Sequence, residues 1–173
     1  MKPRRRGVLG GAGQGRRERR YAGISARLRT PHRAVQHVPA TQSFISKRAL
    51  RAAAWAAALS GIPSTAHALA TGRDPFEAAR AAGTILLPKE TRPDRLLATA
   101  VPVHLGISLA WTATLDRAGI RGALPGAIAG LAIAALDLGL VSRRFPRIRQ
   151  LPLGPQLADH AAFGAIACRL LQR

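Results

Sequence analysis

The sequence predicts an all-α protein: a transmembrane helical bundle of four spans, with five as the alternative, preceded by a disordered basic N-terminal arm. Three observations point there. Apolar residues make up 47 % of the 173 residues, Lys and Arg outnumber Asp and Glu 27 to 8, and the basic excess is unevenly placed. Residues 1–51 hold 14 Lys/Arg and one acid, a net of +13, whereas residues 52–173 hold 13 and seven, a net of +6. Aromatics are only 4 %, few large side chains for a water-soluble core of this size. The single cysteine, Cys168, excludes an intrachain disulfide framework and a Cys-cluster zinc site.

Residues 1–46 form the arm. They contain Arg4-Arg5-Arg6, Arg16-Arg17-Glu18-Arg19-Arg20 and a glycine cluster, without the apolar periodicity of helix or strand. Such a segment buries too little to offset chain entropy. No strand precedes the glycines and no apolar helix follows them, so they make no dinucleotide fingerprint. Arg16, Arg17, Arg19 and Arg20, with Lys47 and Arg48, are expected to face anionic lipid of the bilayer rather than nucleic acid. Only Tyr21 and Phe44 offer stacking, and neither is interleaved with the Arg blocks. Arg outnumbers Lys 24 to 3, a bias of GC-rich genomes, in which a start downstream of the arm is a second reading.

Residues 47–173 form the helical domain. Its expected spans are 52–70, 96–115, 122–142 and 151–171, each flanked by charge. Crossing the hydrocarbon takes about 20 apolar residues at ~1.5 Å each, so all four pass on length. A soluble Ala-rich bundle would need charged residues within its helices and not just at their ends. Asp137, inside the third span, costs about 2.5–3.5 kcal/mol, which the surrounding Leu, Ile and Val approximately offset. Residues 75–88 are too short to span and carry Glu77 and Arg80, so an interfacial or re-entrant helix is expected. Lys47-Arg48, the first apolar run and Ala66-His67-Ala68 have the order of a cleavable signal, but 48 residues make too long a basic region.

The basic arm places the N-terminus in the cytoplasm of a bacterium, with the protein multi-pass in the inner membrane. Four spans return the C-terminus to the cytoplasm; five leave it outside. Four spans put Arg143, Arg144, Arg147 and Arg149 on the outer side, against the charge rule, and a crossing by 75–88 would reverse that. Trp55 and Trp111 fall within ~9 Å of the cytoplasmic boundary, where indoles settle.

Polar residues inside apolar runs are the candidate site. His67, His104, Asp137, Asp159 and His160 are the titratable ones, and at ~1.5 Å per residue four of them reach similar depth, with His104 nearer mid-membrane. Asp and His in that setting suit a proton or cation site. They equally suit interhelical hydrogen bonding, and Asp159 in the first turns of its helix suits the helix dipole. No metal-ligand spacing and no hydrolase motif occur, so no cofactor, metal or catalytic residue is expected. Gly122, Gly126 and Gly130 form a double GxxxG ridge for close helix packing, within the monomer or in a homo-oligomer. Gly61 and Pro63 predict a kink in the first span.

The run Ser60-Gly61-Ile62-Pro63-Ser64-Thr65-Ala66-His67-Ala68-Leu69, with His104 and Asp159-His160-Ala161-Ala162-Phe163-Gly164, resembles uncharacterised small four-helix bacterial membrane proteins over about residues 49–171. That resemblance implies membrane placement and carries no activity. The function expected is an integral membrane protein with a structural or interaction role. The alternative is an ion- or proton-coupled transporter component, with a membrane enzyme behind both.

Overall fold

Ser46 starts the first helix: its hydroxyl accepts the Ala49 N–H at 3.0 Å, satisfying an amide that a helix start leaves without a partner. The computed structural model describes residues 45–173; the arm up to residue 44, including Arg16, Arg17, Arg19 and Arg20, lies outside the described residues. Among the described residues every regular element is helical: α1 (Lys47–Leu59), α2 (Ile62–Ala70), α3 (Glu77–Gly83), α4 (Pro93–Arg117), α5 (Ala123–Gly139), a 3-10 turn (Val141–Arg144), α6 (Pro146–Arg149) and α7 (Leu153–Leu171).

The expected first span, 52–70, is two helices. α1 ends at Leu59 and α2 begins at Ile62, because Pro63 has no N–H for the Leu59 carbonyl and Gly61 holds φ −81°, ψ 1° between them. The pieces run ~20 Å and ~14 Å, so neither alone crosses a bilayer. Residues 75–88 give the seven-residue α3, which lies against α4. Gly83 makes this contact: a Cβ there would stand 2.2 Å from the Leu96 carbonyl oxygen.

Two elements are long and apolar enough to cross a membrane, Pro93–Arg117 and Ala123–Arg144. The fourth expected span, α7, has the length but carries Gln156, Asp159, His160 and Arg169. Its burial explains the tolerance. α7 packs on α5 along its length and on α1, α2 and α4, and is the centre of the bundle. Ala49, Ala52 and Ala56 of α1, Leu115 of α4, Ile133 of α5, and Phe163, Ala167, Cys168 and Leu171 of α7 form the core. The small side chains of α1 recur every three or four residues, so its buried stripe is a flat ridge that lets α4 and α7 approach.

Contacts at one end fix the directions. Asp116, at the end of α4, receives Arg121 at 2.7 Å and Arg48 at 3.5 Å, while the Gly122 N–H donates to the Cys168 carbonyl at 3.2 Å. One pole thus gathers the starts of α1 and α5 and the ends of α4 and α7. The other pole holds α3, the start of α4, the 3-10 turn and α6, with α3 packed on α6.

Candidate functional site

α7 presents the polar residues, and its central position decides what each one meets. Asp159 and His160 are consecutive, so their side chains leave the helix ~100° apart and serve different neighbours. Asp159 is the seventh residue of α7, beyond the first turn, so its role at the dipole of its own helix is replaced by another. Its Oδ1 accepts the Ser64 backbone N–H at 2.9 Å. Ser64 is the third residue of α2, and Gly61, at the cap position, has no side chain to satisfy that amide. Asp159 therefore caps α2 from across the bundle.

His160 turns to α5. Its Nδ1 lies 2.8 Å from the Gln156 carbonyl oxygen, and its Nε2 lies 3.4 Å from Asp137 Oδ2. A carbonyl only accepts, so Nδ1 carries the hydrogen. In a neutral ring Nε2 would then turn a lone pair towards a carboxylate. The contact is favourable only with one further proton between Nε2 and Oδ2, as imidazolium and carboxylate or as imidazole and carboxylic acid. Helical side chains lean towards the N-terminus of their helix, which brings the His160 ring, one turn beyond its own backbone, to the level of Asp137.

His104 serves the break on its other side. Its Nε2 is 2.8 Å from the Ala57 carbonyl oxygen, one of the last four carbonyls of α1, which have no intrahelical donor. The interruption between α1 and α2 thus has its C-terminal carbonyl met by His104 of α4 and its N-terminal amide met by Asp159 of α7. His67 is half-buried on α2 and lines a shallow cleft with Ser64, Asp74, Pro155 and Gln156.

Among the five titratable residues one side-chain pair is hydrogen-bonded. Asp137 and His160 meet; Asp159 and His104 flank the helix break; His67 sits in the cleft. Among the described residues no group of three or more His, Cys, Asp or Glu is gathered to hold a metal ion. Outside the helices, Asp74 is held below the ordinary carboxylate range by its hydrogen bond from Arg80, and Glu90 is held low by the backbone N–H groups of Arg92 and Thr91.

The glycines act between α5 and α7. A Cβ at Gly126 would stand 2.2 Å from the Gly164 carbonyl oxygen, and one at Gly130 2.0 Å from that of His160. Gly164 faces back: its Cβ would be 2.0 Å from the Gly126 carbonyl oxygen. Gly122 precedes the helix at φ 91°, a left-handed conformation suited to glycine, and its N–H ties to α7. Lys47 and Arg48 open α1 at the pole of Asp116.

Sequence reasoning missed Gly164, the Ser64 amide and the Ala57 and Gln156 carbonyls as partners. Gly164 and Cys168 are small residues four apart on one face, the signal that would have matched α7 to the glycine ridge. The backbone partners had no residue-type signal to find. No protein family, curated protein or solved structure matches the chain.

Proposed function

We propose that the protein is an integral membrane protein of the bacterial inner membrane, with its N-terminus cytoplasmic and a structural or interaction role. In this arrangement the broken α1–α2 pair, α4, α5 and α7 are four antiparallel crossings. The observation that carries the proposal is where the apolar surface lies. Only 28 % of the most apolar stretch of Pro93–Arg117, and 22 % of that of Ala123–Arg144, is buried in the fold. A core helix of a soluble protein would be mostly covered. Leu124 is 73 % exposed and Ile128 63 %, and Val101, Leu105 and Leu136 are exposed too; large apolar side chains left open in this number are stable against hydrocarbon and a liability in water. Exposed Trp55 and half-buried Trp111 stand on antiparallel neighbours near the pole where α1 starts, at the level of an aromatic belt.

The structural role draws on the pairing of the polar groups. Asp159, His104 and His160 each join one helix to another, which is how such residues are accommodated in hydrocarbon at an average of about 0.6 kcal/mol per bond. A proton-coupled role is favoured by one specific observation, the 3.4 Å approach of His160 Nε2 to Asp137 Oδ2 inside the bundle. Reconstitution into vesicles with a pH-sensitive dye separates the two. Wild-type protein without proton flux, and a normally folded Asp137→Asn, fit the structural role; flux that Asp137→Asn abolishes fits the proton-coupled one.

A further inference from the structure

The 3-10 turn and α6 place Arg143, Arg144, Arg147 and Arg149 within seven residues, all four exposed, while Phe145 and Ile148 between them are half-buried against the protein. Among the described residues no ion pair engages these four arginines. The acids nearest in the fold are already taken. α3, which packs on α6, carries Glu77, bound by Arg73 at 3.0 Å, and is preceded by Asp74, bound by Arg80. The turn also closes the apolar stretch Ala123–Arg144, so four unneutralised guanidinium groups stand where the hydrocarbon of a bilayer gives way to phosphate. We propose that residues 143–149 form a binding site for the phosphate groups of anionic phospholipid. The site rests on the membrane placement proposed above, and holds whichever way the bundle is inserted.

The chemistry suits the ligand. Guanidinium groups present paired N–H donors that match phosphate oxygens, remain charged at every physiological pH, and carry less hydration than ammonium. The half-buried Phe145 and Ile148 fix the turn against the bundle, and the four arginines stay exposed, Arg147 at a cleft it shares with Glu77 and Arg80. This also accounts for four positive charges on a side that the charge rule would keep neutral: bound lipid phosphate supplies the missing counter-charge.

The full chain, purified in a mild detergent and supplied with phosphatidylglycerol or phosphatidylcholine, tests the proposal through lipid retained per protein by native mass spectrometry. Phosphatidylglycerol should be retained in preference. Arg143→Gln/Arg144→Gln and Arg147→Gln/Arg149→Gln should each weaken its retention by roughly twenty-fivefold, since each of the two basic residues removed counts for about fivefold near a lipid surface. Arg92→Gln/Arg95→Gln removes the same charge from residues paired with Asp94 and Glu90, and should leave retention unchanged. Equal retention of the two lipids, or equal losses in all three variants, would overturn the site. So would inorganic phosphate that displaces the lipid at low millimolar concentration, which would make it a free-anion site. Where one arginine pair fails to fold, the other gives the same readout. Failure of the membrane placement itself is seen separately, as protein released from membranes by alkaline carbonate.

Discussion

Asp159 shows how one side chain can hold a break in a helix. Asp159→Ala leaves the Ser64 N–H at the start of α2 without its acceptor, a loss of about 1 kcal/mol by analogy with N-cap removal. Asp159→Asn keeps a carbonyl acceptor and should cost a fraction of that. Thermal unfolding in one detergent ranks the two, and equal losses would argue that the carboxylate charge, not the cap, matters. Thr112 offers the opposite case. It is fully buried on α4 and its Oγ1 has no hydrogen-bond partner, so Thr112→Val removes an unsatisfied group at nearly constant shape. It should be neutral or stabilising by up to about 1 kcal/mol. At this scale the sequence named Asp137, Asp159, His104 and His160 from their setting alone, because an ionisable residue in an apolar run is conspicuous. Their partners were hidden, because three of the four contacts end on backbone atoms that every residue possesses.

The elements were legible where periodicity was long and hidden where it was interrupted. α4, α5 and α7 follow the expected 96–115, 122–142 and 151–171 closely, since sustained apolar runs bounded by charge leave few other structures. The 52–70 run shows the limit: composition joined what Gly61 and Pro63 divide, and hydropathy averages do not register a missing N–H. The α5–α7 seam is the element-scale prediction. Gly130→Ala places a methyl carbon 2.0 Å from a backbone oxygen, so the helices must part, at a cost of about 1–3 kcal/mol or more. Gly106→Ala in α4 meets nothing within 4 Å, and should be neutral or gain up to about 1 kcal/mol of helix propensity. Comparable unfolding midpoints for the two would contradict the seam. The α2–α4 connection should respond to acid. Asp74 is held below its ordinary 3.8 by Arg80, so its contribution is complete above that value and is lost as pH falls through the lower folded-state one. Pepsin cleavage within residues 71–92 should therefore rise only below about pH 4, while α4 and α5 stay intact.

At the scale of the whole molecule, the decisive property is an apolar exterior around a small-residue core. Alanine and glycine let α7 approach α1 and α5 closely, and many of the larger Leu, Ile and Val side chains are left exposed. In water that inversion would cost free energy at every exposed Leu; in a bilayer it is the ordinary arrangement. The most direct test is extraction of cell membranes with alkaline carbonate, followed by detection of the full chain in pellet and supernatant. Retention in the pellet, with release only by detergent, is the predicted result; recovery of folded protein in the carbonate supernatant would contradict membrane insertion.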